Sequence, residues 1–353
     1  MPKSKSKKSS AAATKSSKAS GNASGKSSVE AQASQLATEI MERRTAARAT
    51  RAAALTRRKS STIITTEVTH RLKTAVEFAA PAAARGALTT AGYLVAVGDS
   101  WFAYPIHNVL TKLEDNFGYN VETTAHNGDP IEAMVSHVGQ LDKFARLLDK
   151  IKALGATPHA VLVSGGGDDV AGAEFGMLIN NIDLSDSGWN LQVLAGVIDE
   201  RIATAYRKMF LTVNQLCQAA FGAPLPIVVH GYDYPVPDGR GFLGGWGPLP
   251  GPWLKPGFDE KLFISLPQNT GMMKTLIDRF NAMLQTVAKG FSNVNYVDLR
   301  GTLTNGPGYK AFWANELHPT GDRLFGNRDG FLAVATKFDA VLSKLPAPAP
   351  PKP

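Results

Sequence analysis

The sequence contains very little cysteine and no long apolar segment. Cys217 is the single cysteine among 353 residues, so the chain can form neither a disulfide framework nor a cysteine-rich zinc site. No segment reaches the roughly 18 consecutive apolar residues of a membrane-spanning helix. The basic N-terminus lacks the apolar segment of about 7–15 residues that follows it in a signal peptide. These absences predict a soluble, cytoplasmic protein, with signal-independent export as the open alternative.

Acidic residues are missing from the first part of the chain, which is strongly basic. Residues 1–28 contain seven Lys and no Asp or Glu, and residues 1–75 hold 16 Lys and Arg against 4 Asp and Glu. The remaining 278 residues hold 22 basic and 26 acidic groups, so the net charge of +8 arises in the N-terminal segment. This distribution argues against a specific nucleic-acid interface in the globular part. The segment can act as a solubilising arm or dock on an anionic surface.

Composition divides the chain into three parts. Residues 1–75 form a basic, low-complexity and partly helical arm, in which 1–28 carry too few large apolar side chains to offset the entropy of ordering. Within the arm, residues 29–59 are rich in Ala and Arg and have fair helix propensity with a thin apolar stripe. Residues 76–345 form the globular domain, and the proline-rich residues 346–353 form an extended tail.

Short apolar segments alternate with longer helical patterns in the globular domain. The predicted strands are 93–98, 120–125, 160–164, 226–230 and 294–298. The predicted helices are about 106–117, 131–154, 191–221, 271–289 and 321–343. This alternation predicts an α/β fold in which helices cover both faces of a mostly parallel five-stranded sheet. In such a sheet the ligand crevice lies outside the carboxyl ends of the strands.

Small, polar and ionisable residues follow the predicted strands. They include Gly98-Asp99-Ser100, His126-Asn127-Gly128-Asp129, the segment from Ser164 to Asp169, and His318 before the last predicted helix. A serine at a strand-to-helix turn exposes its hydroxyl while its own N–H faces the same point. Glycines at such turns let backbone N–H groups approach an oxyanion, and a histidine from a separate loop can accept the serine proton. This set predicts acyl-transfer chemistry.

The segments VAVGDSW, AHNGD, SGGGDDVAG and NELHPT resemble, in this order, the four sequence blocks of the SGNH hydrolases, also called GDSL-type esterases and lipases. The resemblance covers about residues 90–345. It implies a three-layer α/β/α, flavodoxin-like sandwich that hydrolyses carboxylic esters without a metal or other cofactor. It also implies Ser100 as the nucleophile, His318 as the general base, and the N–H groups of Ser100 and Gly128 as oxyanion donors.

Two positions depart from the pattern of this family. Asp168 stands where the family has the Asn of Gly-Xaa-Asn-Asp, and Asn315 stands where it has the Asp of the triad. An ionised Asp168 about 4 Å from the oxyanion would oppose it by roughly 4 kcal/mol. We therefore expect Asp168 to be protonated and to donate in place of the amide, to be turned away, or to have another role. Asn315 can orient the imidazole but cannot stabilise imidazolium by charge.

Three mechanisms fit these departures. The site can work as a Ser100–His318 dyad, with Asn315 or a carbonyl orienting the ring. Asp168, Glu316 or Asp322 can instead complete a triad. In the third alternative the domain is a weak or inert relative of the hydrolases, and the basic arm makes it a binding protein.

Side chains at the same sheet edge are expected to contact the substrate. These candidates are Trp101, Asp169, His126, Trp246 and Trp253. The last two lie in residues 231–257, a long Gly- and Pro-rich loop of the kind that often carries function. The sequence does not distinguish a lipid, an acetylated sugar, an aryl ester, a polyester or a thioester as the substrate.

Overall fold

A parallel five-stranded sheet forms the centre of the molecule. The structure is a computed structural model that describes residues 16–57, 90–136, 139–184, 188–245, 248–321 and 328–349. Its strands are β1 (Gly92–Val97), β2 (Tyr119–Thr123), β3 (Ala160–Val163), β4 (Ile227–His230) and β5 (Val294–Val297). They pair in the order β2-β1-β3-β4-β5, and every pairing is parallel. This is the flavodoxin-like strand order, so the predicted α/β fold is confirmed.

The helices alternate with the strands, as the sequence predicts. They are α1 (Ser16–Arg57), α2 (Ser100–Ala103), α3 (Val109–Phe117), α4 (Ile131–Met134), α5 (Gln140–Ala153), α6 (Leu191–Leu194), α7 (Ala203–Phe221), α8 (Lys255–Glu260), α9 (Leu266–Ala288) and α10 (Gly330–Leu342). A π-helical segment, Ala195–Ile202, joins α6 directly to α7. Short 3₁₀ segments lie at Gly172–Leu178, Ile182–Leu184, Phe242–Gly244 and Tyr309–Ala311.

Helices cover both faces of the sheet. Helices α3 and α10 pack together on one face, and α5, α7 and α9 lie on the other. The central strands β1, β3 and β4 are consequently almost continuous runs of buried Val, Leu, Ile and Ala. Such runs are typical of parallel strands that are enclosed on both sides. The topological switch point therefore lies at β1 and β3, whose carboxyl ends lead to Ser100 and Asp168.

Two helix boundaries differ from the prediction in ways that matter for the site. The predicted helix 131–154 is divided into α4 and α5, and Gly139, the N-cap of α5, approaches the carbonyls of Ala133 and Met134 too closely to carry a Cβ. The last helix was predicted from residue 321, but it begins at Gly330. Asp329 caps it by accepting the N–H of Leu332. His318 therefore lies well ahead of the first residue of that helix.

Helix α1 packs over α5 and α7 as an additional layer. Its apolar stripe is buried against the sandwich and consists of Val29, Ala33, Leu36, Ala37 and Ile40. Arg44 also donates to the carboxylate of Asp149 on α5 at 2.6 Å. The helix begins at Ser16, inside the segment 1–28 that composition predicts to be unordered. Once its docked part is fixed, each further residue adds a backbone hydrogen bond without a new nucleation step.

Within the described ranges, no helix is both long enough and apolar enough to cross a membrane. Cys217 is buried in α7, in agreement with a structural thiol.

Candidate active site

Ser100 begins helix α2 immediately after β1, and the backbone on both sides of it is fixed. The side chain of Asp99, 1% exposed, caps the helix by accepting the N–H of Trp101 at 3.0 Å. On the other side, the amide of Gln140 accepts the N–H of Gly98 at 2.9 Å and donates to its carbonyl at 2.8 Å. These bonds hold the Ser100 hydroxyl at the carboxyl edge of the sheet.

The side chains of Ser100 and His318 are in hydrogen-bond contact, although 218 residues separate them in the chain. Oγ of Ser100 lies 2.8 Å from Nε2 of His318, and Nδ1 of His318 lies 3.1 Å from Oδ1 of Asn315. The structure thus brings together three residues that the sequence analysis selected. Their order, hydroxyl to imidazole to amide, is the order of a nucleophile, a base and an orienting group.

The backbone determines which way the Asn315 amide points. Its Oδ1 accepts the backbone N–H groups of Leu317 at 2.9 Å and of His318 at 2.8 Å. Because a backbone N–H can only donate, this atom is the amide oxygen and not the nitrogen. Nδ1 of His318 must then carry the proton in order to donate to the same oxygen. Nε2 keeps its lone pair and accepts the hydroxyl proton of Ser100, which is the tautomer that a general base requires.

His318 lies in an aromatic environment and is 4% exposed. The ring of Tyr104 stacks on it with 4.2 Å between centroids, and Trp253 approaches edge-on at 5.8 Å. The hydroxyl of Tyr104 accepts a hydrogen bond from Nδ2 of Asn315 at 2.9 Å. Burial lowers the pKa of His318 to about 3, because the desolvated imidazolium is disfavoured and, among the described residues, its Nδ1 contacts an amide and not a carboxylate. The ring is therefore neutral at physiological pH.

The loop that carries His318 is closed on itself. Trp313 and Pro319 form an antiparallel bridge, and the N–H of Ala314 donates to the carbonyl of His318 at 2.9 Å. This closure holds Asn315 and His318 at the carboxyl edge of the sheet, in contact with each other and with Ser100.

Asp168 lines the same cavity as Ser100. Burial, together with the neighbouring carboxylates of Asp99, Asp169 and Asp129, raises the pKa of its carboxyl to about 8. Its Oδ2 is buried and has no hydrogen-bond partner among the described residues. Asp168 is therefore predominantly protonated at neutral pH and can donate a hydrogen bond.

Glu316 is fully buried, and both of its oxygens are occupied by the backbone of another loop. It accepts N–H groups from Gly239 at 2.9 Å, Trp253 at 2.7 Å, Leu254 at 2.8 Å and Lys255 at 3.1 Å. This carboxylate organises the loop beside the site, and Nδ1 of His318 is bonded to Asn315 instead. Of the other acids considered for a triad, Asp168 lies at the cavity and Asp322 lies outside the described residues.

A second Ser–His contact lies beneath the site. Oγ of Ser164 is 2.8 Å from Nε2 of His230 and 2.5 Å from Oδ1 of Asp99, and Nδ1 of His230 is 2.7 Å from the carbonyl of Gly231. The hydroxyl of Tyr232 also donates to Asp99. Ser164 and His230 are both 0% exposed. Since a substrate cannot approach a fully buried hydroxyl, this network supports Asp99 from below and is not a second reaction centre.

Gly128 lies in an exposed turn after β2, with a φ of 80° that glycine adopts without strain. The N–H of His126 donates to the carbonyl of Gly98 at 3.0 Å, which ties this turn to the end of β1. In the part of the chain that the structure describes, the N–H groups of Ser100 and Gly128 have no hydrogen-bond partner. Both are therefore available to an oxyanion.

The three tryptophans that the sequence predicts at the substrate have different positions. Trp101 is buried, lines the cavity and donates its indole N–H to the carbonyl of Leu317 at 3.1 Å. Trp253 is half-buried beside His318. Trp246 lies outside the described residues.

Asp169 and His126, the other two predicted contacts, hold loops. Asp169 is buried and accepts the N–H of Ile131, the first residue of α4, at 2.8 Å. His126 is exposed and lies 3.0 Å from the carboxylate of Asp129. Neither belongs to the described residues that line the cavity beside Ser100. The described residues also contain no cluster of three or more His, Cys, Asp or Glu side chains that could hold a metal ion.

Sequence reasoning did not select Tyr104 or Gln140, and it gave Glu316 only as one candidate triad acid and not as a partner of backbone N–H groups. Tyr104 lies four residues beyond Ser100, and that proximity was its available signal. Gln140 is 42 residues from Gly98, and no pattern in the sequence connects the two.

The sequence matches no protein-family model and no curated protein. Similar solved structures include an acetylxylan esterase from Geobacillus stearothermophilus, with a TM-score of 0.39 and 13% identity over 72% of this chain and 95% of that one. A possible lipase from Chitinophaga pinensis gives a TM-score of 0.39 and 14% identity over 72% and 98%. An α/β hydrolase enzyme from the metagenome of Lake Arreo, Spain, gives 0.37 and 13% over 73% and 98%. Because these scores and identities are low, we infer function from the side chains of the site.

Proposed function

We propose that this protein is a serine hydrolase of the SGNH type that cleaves carboxylic esters. The observation that carries the proposal is the 2.8 Å contact between Ser100 Oγ and His318 Nε2, with Nδ1 of the same ring held by Asn315. A hydroxyl, a neutral imidazole of the correct tautomer and free backbone donors at one sheet edge are what acyl transfer requires.

In the acylation step, Ser100 Oγ attacks the carbonyl carbon of the ester while its proton moves to Nε2 of His318. The tetrahedral intermediate collapses as the bond between the carbonyl carbon and the alcohol oxygen breaks. The proton on Nε2 then passes to that oxygen, so the alcohol leaves neutral and Ser100 remains acylated.

Deacylation repeats these steps with water as the nucleophile. His318 takes a proton from water as the water oxygen attacks the acyl carbon. It returns the proton to Ser100 Oγ when the acyl–enzyme bond breaks. The products are a carboxylic acid and the free enzyme, so the reaction balances with water as the only co-substrate.

The oxyanion is assigned three donors. Two are the N–H groups of Ser100 and Gly128, and the third is the protonated carboxyl of Asp168, which takes the place of the amide in the family pattern. A preorganised donor of this kind contributes about 3 kcal/mol to the transition state. The raised pKa of Asp168 is what makes the assignment chemically consistent, because an ionised carboxylate would repel the oxyanion.

Labelling with a fluorophosphonate tests the proposal in the full-length protein. We expect one covalent adduct on Ser100 and hydrolysis of p-nitrophenyl acetate, both lost in Ser100→Ala and strongly reduced in His318→Ala. Ser164→Ala is the matched control and should keep the adduct, since Ser164 is buried.

An adduct on another serine, or none on protein shown to be folded by circular dichroism, overturns the proposal. In that case, salt-sensitive binding of the full chain to anionic vesicles would favour an inert domain with a docking arm.

A further inference from the structure

An almost wholly apolar cavity of about 50 Å³ opens beside Ser100 and runs toward helix α9. Ser100 and Asp168 lie at its polar end. The walls away from Ser100 are formed by Val170, Ile198, Met273, Leu276, Ile277 and Phe280. All six are buried, so the cavity is an internal extension of the site and not a surface groove.

The wall opposite Ser100 is rigid. Phe280 is held between the rings of Tyr206 and Tyr232, at centroid distances of 6.5 Å and 5.4 Å. Gly166, with a φ of 87°, lies so close to Phe280 that a Cβ there would come within 2.7 Å of the ring. The floor of the cavity is therefore fixed by packing on several sides.

Ile198 enters the cavity wall from the π-helical segment Ala195–Ile202. A π-helical turn widens the helix locally and changes where its side chains point, and such turns occur frequently at functional sites. Here the widened turn contacts α9, and both elements contribute to the lining of the cavity that Ser100 also lines.

We propose that this cavity is the acyl-binding pocket of the site and that it selects short, unbranched aliphatic acyl groups. The inference rests on the proposed ester hydrolysis and specifies its substrate class. Besides Ser100 and Asp168, the lining carries three polar side chains, Asp99, Tyr232 and Asp233. All three are already paired within the protein: the Tyr232 hydroxyl donates to Asp99, and Asp233 accepts the N–H groups of Gly301 and Leu303. They are therefore not free to pair with a sugar hydroxyl or a charged group. An engineered cavity of about 150 Å³ holds a benzene molecule, so this smaller space fits a chain of about two to four carbons.

Because the acyl group is confined, the alcohol part of the ester has to lie on the open side of Ser100. The half-buried Trp253 and the stacked pair of Tyr104 and His318 border that side. The enclosed cavity should therefore restrict the acyl chain strictly, whereas the open side should accept a wider range of alcohols.

The test is a chain-length series of p-nitrophenyl esters from acetate to octanoate, measured as kcat/KM on the full-length protein. For the wild type we expect acetate and butyrate to exceed octanoate by about a hundredfold or more, since each misfitting methylene group costs about tenfold in a tight pocket. Met273→Ala lengthens the pocket and should raise the octanoate-to-butyrate ratio at least about tenfold. Ala171 also lines the cavity, so Ala171→Leu narrows it and should reduce the kcat/KM for butyrate more than that for acetate.

Met272→Ala is the matched control, since Met272 is also buried on α9 but packs against Gly188. Its chain-length profile should equal that of the wild type.

Fluorophosphonate labelling of every variant at Ser100 separates the two proposals. If Ser100 is labelled and esters are hydrolysed, but octanoate is preferred or Met273→Ala behaves as Met272→Ala, the acyl pocket is wrong and ester hydrolysis stands. Absence of labelling and turnover overturns both.

Discussion

At the scale of single residues, an amide and a carboxyl have exchanged places relative to the SGNH pattern. Asn315 holds His318 through its oxygen, and two backbone N–H groups fix the direction of that amide. Asp168 lies at the cavity among other carboxylates, where burial and like charge keep it protonated. Asp168 and Asn315 can thus make the same hydrogen bonds as the Asn and the Asp of that pattern. The difference is that no negative charge lies on the residue that contacts the imidazole.

Asp168 should give the activity an alkaline limit. If its protonated carboxyl donates to the oxyanion, kcat/KM falls as the pH rises through about 8, the raised pKa of this group. Asp168→Asn is expected to keep the activity at pH 7 and to remove this alkaline limb, because an amide donates at every pH. A pH profile of ester hydrolysis from pH 5 to 10 measures the difference. A tenfold or larger loss at all pH values would instead make Asp168 a triad acid.

The same substitution should change stability with a defined sign. The folded pKa of Asp168 is raised to about 8 from 3.8, so this group stabilises fully at low pH, and its contribution is lost as the pH rises toward 8. We expect Asp168→Asn to raise Tm more at pH 8 than at pH 5. Equal shifts at both values would contradict the raised pKa.

Asn315→Asp should restore the missing charge beside His318. A carboxylate in contact with Nδ1 favours imidazolium, so the pKa of His318 rises from about 3 and the acidic limb of kcat/KM moves to higher pH. Because a more basic imidazole takes the serine proton more readily, we expect kcat at pH 8 to increase about tenfold. Asn315→Ala, which removes the orienting oxygen, should lower kcat by about a hundredfold. An unchanged acidic limb in Asn315→Asp would show that the amide does not contact the base in solution.

At the scale of the structural element, Glu316 joins two loops that the chain separates by more than sixty residues. Removing it leaves the N–H groups of residues 239 and 253–255, one buried and three partly buried, without their carboxylate partner. Glu316→Ala should therefore lower the free energy of unfolding by about 3 kcal/mol, measured by urea denaturation. Glu174→Ala, at an exposed position, is the control and should change it by less than about 0.5 kcal/mol. A loss of kcat at unchanged stability would indicate a direct role in catalysis instead.

The elements that were predicted well are those whose signal is local. The strands 93–98 and 160–164 are short apolar runs followed by glycine and acidic residues, and burial on both faces makes such runs unmistakable. The pairing of Ser100 with His318 was predictable through the resemblance of their sequence blocks to those of the SGNH hydrolases, whereas the sheet geometry alone accounts only for the position of Ser100 after β1. The role of Glu316 was not predictable, since its partners are backbone groups whose position depends on the folded loop.

At the scale of the whole molecule, α1 makes part of the basic segment a component of the core. Leu36 is 1% exposed against the sandwich, so Leu36→Ala should lower the free energy of unfolding by about 2–4 kcal/mol. Gln35→Ala, on the exposed side of the same helix, should change it by less than about 0.5 kcal/mol. Equal effects of the two substitutions would mean that α1 is not docked in solution. The thin, alanine-rich stripe of this helix concealed its packing, because small residues give a weak hydrophobic pattern.

The binding of Glu316 to backbone N–H groups has a consequence for how this site can be altered. The carboxylate binds main-chain N–H groups, which every amino acid except proline supplies. The partly exposed side chains at positions 253 and 255 can therefore be exchanged while the loop remains anchored beside the imidazole, whereas Leu254 is 1% exposed and lines the cavity. New alcohol preferences can be engineered there without rebuilding the machinery that moves the proton.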